Sequence, residues 1–233
     1  MQNKNFNLNN YNTLFFDLFH TLTYPGRIEH KRHERDLFGI SEEEWLAHSM
    51  ATYKERAVGI VNKPEDIIRN ILISLKHEYK EEKLSDAAEI RTARFSKSLI
   101  EIKKEVLITI KQLFESGFKL CLVSNADVID IAGWSSSPLA KFFDKAIFSC
   151  EVGLAKPSPE IYQLALKEMH AVPKQSLFIG DGGSDELNGA KAVGINTVLT
   201  TEFIQDLWPE KIDTLRKDAD FVVTKLSSIL KSY

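Results

Sequence analysis

The sequence predicts a three-layer α/β protein, a parallel sheet core with an inserted helical cap. Three observations carry this. Short, almost wholly apolar runs recur along the chain; from about residue 100 they alternate with amphipathic helical segments; and the stretch between the first two runs has helical spacing without a convincing strand. Runs this continuously apolar suit strands covered on both faces.

In chain order, residues 1 to 11 are an Asn-rich polar lead-in, and TLFFD (13 to 17) is the first strand. Residues 24 to about 100 are rich in Glu, Lys, Arg, Ile and Leu, with helical periodicity in SEEEWLAHSM and PEDIIRNILISLKHEY. A helix over about 102 to 116 ends at Gly117, and KLCLV (119 to 123) is the second strand. A helix at 136 to 142 leads to the strand KAIFS (145 to 149). The helix at 158 to 170 starts with Ser158 as N-cap and Pro159 at its first position. SLFIG (176 to 180), a helix at 184 to 193, NTVLT (196 to 200), DFVVT (220 to 224) and a helix at 225 to 232 complete the pattern. The expected division is a core of residues 1–23 and 101–233 and a cap of residues 24–100. Open α/β sheets bind ligands at the carboxyl ends of their strands, so an insertion leaving from the end of strand one is placed as a lid over that edge.

The 233 residues can bury a substantial core, and a formal charge of -3 gives no reason to expect a nucleic-acid partner. The two cysteines, Cys121 and Cys150, sit in apolar runs without CxxC spacing and read as small hydrophobes, which favours a reducing compartment. No secretory leader is read at the start, and no apolar run approaches the roughly 20 residues that cross a bilayer. The expectation is a cytoplasmic protein without a membrane partner, monomer or homodimer.

Several strands end in residues suited to phosphate or metal chemistry. The first ends in Asp17, Phe19, His20 and Thr21; the second in Ser124 and Asn125; Gly153-Leu154-Ala155-Lys156-Pro157 follows the third; and Gly180-Asp181-Gly182-Gly183-Ser184-Asp185-Glu186 closes the fourth. Parallel strands bring all four ends to one edge. Singly, each has a plainer reading: a capping aspartate, a turn, a solvated loop lysine. Together they assemble a nucleophile, a hydroxyl, a cation and more carboxylates in one crevice. Neither GxGxxG nor GxxxxGK[ST] is present, so GDGGSDELNG is not a nucleotide loop, and the six histidines lack metal-ligand spacing. His30, His33, His48 and His77 read as surface or cap residues.

DLFHT, VSNAD, GLAKPSPEIY and FIGDGGSDELNGAKAVG, in that order, resemble the four motifs of the haloacid dehalogenase (HAD) superfamily, over residues 12 to 23 and about 105 to 224. The resemblance implies a Rossmann-like core with a helical cap between the first and second motifs. It implies Asp17 as nucleophile, forming an aspartyl-phosphate that water hydrolyses. It also implies Mg²⁺ on Asp17, the backbone carbonyl of Phe19 and Asp181, with Asp185 as an outer-shell carboxylate and Glu186 able to share that role. Ser124, Asn125 and Lys156 would hold the phosphoryl group of a small phosphorylated substrate, with His20 as a further candidate, and Thr21 would position the nucleophile loop. The chemistry agrees: a carboxylate is ionised at neutral pH, two displacements replace one harder step, Mg²⁺ prefers oxygen, and a lysine neutralises developing charge.

The sequence departs from the pattern at Phe19, where most phosphatase relatives carry an Asp that protonates the leaving oxygen. General acid help is typically worth about 10²–10⁴-fold, so substrates with good leaving groups, acyl or aryl phosphates, are expected to be best. Dehalogenase relatives carry an aromatic residue there. Three readings stay open: a metal-dependent phosphohydrolase, ranked first for its Gly180-Asp181 carboxylates; a haloacid dehalogenase, favoured by Phe19; and a binding or regulatory protein with little turnover. His20 stands where the family usually has Gly; it could approach the leaving group, although a neighbouring residue in an extended segment generally points elsewhere. In the cap, Arg27, Arg32, Trp45, Lys54 and Arg56 are specificity candidates, although a solvated helix face is the plainer reading of its charges.

Overall fold

Alternate residues of an extended strand point to opposite faces, and here both faces find apolar cover. The computed structural model describes residues 6–27 and 32–232. Its parallel strands β1 (Thr13–Phe16), β2 (Lys119–Ser124), β3 (Lys145–Phe148), β4 (Ser176–Gly180), β5 (Asn196–Thr200) and β6 (Phe221–Val223) form one sheet in the order β3-β2-β1-β4-β5-β6. Every expected strand is present, to within a residue at each end.

Leu14, Phe16, Leu120, Leu122, Leu177 and Ile179 face one way, onto Val106, Ile110 and Leu113 of the helix Lys104–Glu115 and onto Leu226 and Ile229 near the chain end. Phe15, Cys121, Val123 and Phe178 face the other, onto Ile161, Tyr162 and Ala165 of Pro159–Glu168 and onto Leu187 and Ala190 of Glu186–Ala192. That interdigitation of odd and even positions is why the runs are continuously apolar and why there are three layers.

Between β1 and β2 come the helices α1 (Glu42–Ala51), α2 (Tyr53–Ala57), α3 (Pro64–Ser74) and α4 (Glu82–Ile100). They share a core of their own, Trp45, Ile67, Ile68, Ile71, Leu72, Leu84 and Ala88, joined by Ile129 from the short helix after β2. Ser41 starts α1 through a capping box with Glu44. The chain segments that continue the core layers are α5 (Lys104–Glu115), α6 (Val128–Ile131), α7 (Ser149–Val152), α8 (Pro159–Glu168) and α9 (Glu186–Ala192). No helix among the described residues is long and apolar enough to cross a membrane.

Three local expectations need correction. The stretch 136 to 142 is two 3₁₀ turns, Trp134–Ser136 and Ala140–Phe142, because Pro138 between them has no N–H to continue a helix. Residues Leu226–Ser232 are 3₁₀ rather than α. Ser158 stands at the N-cap position of α8, but its hydroxyl bonds the Glu160 carboxylate and not a helix amide.

Candidate active site

The chain passes from β1 to the flanking strands β2 and β4, so the carboxyl end of β1 opens at the point where the sheet order reverses. Asp17 is delivered there by the ladder itself: its N–H donates to Ile179 O at 2.9 Å, one step beyond the last paired residue. The following turn is closed by Leu22 and Thr23 amides donating to Leu18 O at 2.9 and 3.2 Å, and by His20 N–H donating to Thr23 O at 2.6 Å. Thr23 Oγ1 donates to Ser98 O at 2.7 Å, fastening the turn to α4. His20 has φ 64°, a left-handed conformation that histidine tolerates better than most side chains, and this is the reason a glycine would be at home here. The backbone is therefore a turn and not extended at this point, which corrects the expectation that His20 points elsewhere: its ring lines the same cavity as Asp17.

Lys156 Nζ lies 2.5 Å from Asp17 Oδ1 and 2.5 Å from Glu186 Oε2, with all three side chains buried. Burial works against its charge, but the two carboxylates outweigh it and hold the ammonium above its ordinary range. Asn125 fixes the lysine's main chain from both sides, donating Nδ2 to Lys156 O and accepting Lys156 N–H on Oδ1, each at 2.8 Å. Its amide thus holds the lysine in place. Gly182 N–H donates to Glu186 Oε1 at 3.1 Å and Gly183 N–H to Asp181 Oδ1 at 3.0 Å. A Cβ at Gly180 would collide with Glu186 Oε1, so this glycine is what lets the glutamate approach the strand end.

Oxygens of Asp17, Asp181 and Glu186 lie within 4.8 Å of one another. Burial, then the charge of Asp17, pushes the Asp181 carboxyl up to about 6 and the Glu186 carboxyl well above the usual carboxylate range. Asp17 Oδ2, Thr21 Oγ1 and Ser124 Oγ are buried without a hydrogen-bond partner. Three orphaned polar atoms are a cost unless something binds there. Asp185, the acid first expected in the outer shell, is exposed, has φ 52°, and accepts from Asn188 Nδ2 at 2.8 Å. The left-handed Ser184-Asp185 turn swings it outward and leaves Glu186 to enter the cluster.

Above this edge is a cavity of about 520 Å³ whose far wall comes from the inserted helices. Trp45 and Arg56 line it; Arg32 and Lys54 are exposed and do not; the Arg27 side chain and His30 fall outside what is described. Sequence reasoning missed the rest of the wall. Arg91 and Arg56 are buried, which corrects the solvated-face reading: Arg56 Nε is 2.8 Å from Asp127, and Arg91 is 3.1 Å from Asp127, 3.0 Å from Asp130 and 4.0 Å from Glu34. Arg94 pairs with Glu34 at 2.8 Å. His33, expected as a surface or cap residue, caps the 3₁₀ turn Glu34–Leu37 and is half-buried at the cavity wall, where burial, with the Glu34 carboxylate opposing, lowers it to about 4. His48 bonds Ser74 at 2.8 Å and His77 packs on Phe38. Arg91 and Arg94 stand three apart in a helix full of charges, so only the fold distinguishes them from a solvated face.

A family model for haloacid dehalogenase-like hydrolases matches residues 11–194. The chain belongs to this family. The hydrolase is 34% identical over 106 residues to bifunctional epoxide hydrolase 2 of Rattus norvegicus, covering 43% of this chain and 19% of that one. It is 28% identical over 130 residues to glyceraldehyde 3-phosphate phosphatase of Methanopyrus kandleri, 54% of each chain. The matched parts thus span from about a fifth to about half of these relatives. In fold it matches the L-2-haloacid dehalogenase of Xanthobacter autotrophicus with a TM-score of 0.66 at 18% identity, covering 95% of this chain and 97% of that one.

Proposed function

We propose that this hydrolase is a Mg²⁺-dependent phosphohydrolase of a small phosphorylated metabolite, with Asp17 as nucleophile. One observation carries the reading: Asp17, Asp181 and Glu186 place hard oxygen donors within 4.8 Å of one another, with Asp17 Oδ2 buried and unpartnered. Such a donor set fits a small divalent cation, and Asp17, Asp181 and Glu186 would hold it together with the expected Phe19 carbonyl. When bound, the cation supplies charge neutralisation for the phosphoryl oxygens and for the carboxylate that approaches them. The phosphatase named among the relatives supports the same direction.

Asp17 attacks phosphorus, forming one P–O bond as the bond to the leaving oxygen breaks. Lys156 has three ammonium hydrogens, of which Asp17 and Glu186 engage two, so the third is available to a phosphoryl oxygen. Ser124, whose hydroxyl is otherwise unpartnered, donates to a second. Phe19 offers no proton, so the leaving oxygen takes its proton from water. A water then attacks the aspartyl-phosphate, releasing phosphate and restoring the carboxylate. Residues 24–100 act as the cap that closes the cavity, over a core of residues 1–23 and 101–233. Two free cysteines suit the reducing cytoplasm.

A dehalogenase is the second reading, favoured by the Phe19 ring, which packs edge-on against Phe95 at 5.7 Å beside Asp17. An assay of the purified chain with aryl phosphate, acetyl phosphate and an L-2-haloacid, with and without Mg²⁺, separates them. Mg²⁺-dependent phosphate release, lost in Asp17→Asn, is expected; metal-independent halide release overturns the proposal.

A further inference from the structure

The cavity wall beyond the carboxylates differs sharply from its floor. The cations that face it there are Arg35, Arg56, Arg91 and Arg94, among the described residues. Each already has a carboxylate: Arg35 the Glu42 side chain at 3.2 Å, Arg56 and Arg91 Asp127, and Arg94 Glu34. Lys156 is the remaining described cation of the lining, and it belongs to the floor. A second anionic group on a substrate would meet no unpaired cation among the described residues of this wall, and drawing one away from its carboxylate would strand a charge that is desolvated in most of these pairs.

What surrounds Asp17 instead is aromatic. Phe19 meets Phe95 edge-on, and His20 is stacked on Tyr24 at 5.5 Å and edge-on to Trp208 at 4.8 Å. Trp208 is half-buried and comes from the segment after β5, so core and inserted helices contribute to one collar. Farther out, Leu46 and Met50 of α1 are largely exposed at the wall, an apolar surface left open among the described residues. A cavity of about 520 Å³ accommodates a ligand body of ten or more heavy atoms at the scale of ordinary small-molecule sites.

We infer that the substrate carries a single phosphoryl group on an uncharged, flat, apolar body, held in the aromatic collar, with Trp208 as a specificity-determining residue. This rests on the phosphohydrolase reading. It selects aryl monophosphates and disfavours bisphosphates, phosphorylated carboxylic acids and nucleoside diphosphates. The phosphoryl group meets Lys156 and Ser124 at the floor, while the body replaces water against the rings.

The test compares naphthyl phosphate with para-carboxyphenyl phosphate, both aryl esters with phenolic leaving groups but differing in body charge, with acetyl phosphate as a bodiless control. In Mg²⁺, kcat/KM for naphthyl phosphate is expected to exceed that for the carboxylated ester about tenfold or more. In Trp208→Ala the naphthyl-to-acetyl ratio of kcat/KM falls about tenfold, mainly through KM, and Trp208→Phe restores most of it. Equal rates on both aryl esters, or a ratio unmoved in a folded Trp208→Ala, overturns the inference while leaving the phosphohydrolase intact. If none of the three phosphates is hydrolysed in Mg²⁺, the phosphohydrolase reading fails instead. Equilibrium binding of the two aryl esters to the full chain, by calorimetry, then decides this one: tenfold tighter naphthyl binding supports it and equal binding overturns it.

Discussion

Arg91 is the cation on which the buried charges between α4 and the loop after β2 depend, so Arg91→Met tests how that joint is held. The substitution keeps the apolar stem and removes the guanidinium that lies 3.1 Å from Asp127 and 3.0 Å from Asp130. Asp127 keeps Arg56 at 2.8 Å, but Asp130 keeps no ion pair among the described residues. Breaking a buried pair by removing one partner costs about 3–5 kcal/mol, and the low end applies because Arg56 remains. A loss of about 3 kcal/mol corresponds to a Tm drop of roughly 6–12 °C in a chain of this size. Acidity should relieve it. Burial, then the Asp127 charge, raises the Asp130 carboxyl from 3.8 to about 6, so the folded state binds more protons than the unfolded one in that window. The stability contributed by this group therefore falls as pH rises through it. Arg91 restrains the rise; without it the folded carboxyl titrates higher, and the variant's deficit is full above both values and shrinks as the solution is acidified. Thermal and urea unfolding of both proteins across this range measure it. A deficit below about 1 kcal/mol at neutral pH, or one that widens on acidification, refutes the reasoning.

Two further outcomes follow from the same geometry. Phe19→Asp supplies the carboxyl that the proposed mechanism lacks, and it should raise kcat/KM on alkyl phosphates about 10²-fold relative to acetyl phosphate; an equal change on both substrates would show that proton delivery is not what Phe19 lacks. Asn125→Ala removes both bonds to the Lys156 main chain, and kcat should fall about tenfold with little change in KM; a rise in KM alone would place Asn125 on the substrate and not on the lysine.

The core was legible because its signal is local. A strand buried on both faces leaves a run such as KLCLV, and parallel strands all deliver their last residues to one edge, so Asp17, Ser124, Lys156 and Asp181 could be grouped without any distance. The choice between Asp185 and Glu186 was not local. It depends on two consecutive residues with positive φ, and neither Ser nor Asp signals that conformation as a glycine does. The orientation of His20 was hidden for the same reason: alternation was assumed to persist past the strand, whereas a left-handed residue reverses it and leaves this candidate lining the cavity.

The cap wall was illegible for a different reason. Arg56, Arg91 and Arg94 find Asp127 and Glu34 across 36 to 71 positions of sequence, and a helix pattern records which face is polar but not whether water or a carboxylate meets it. This bears on function, since cations read as solvated would have been available to a substrate's anions. Paired with Asp127, Asp130 and Glu34, they brace the wall, and the rings of Phe19, Tyr24, Phe95 and Trp208 line the cavity that also holds Asp17. Phe19 then has a second sense on the proposed reading, besides the missing acid: the position that lacks a proton donor is also part of the apolar seat, and an aryl monophosphate, with a good leaving group and a flat body, would meet both conditions.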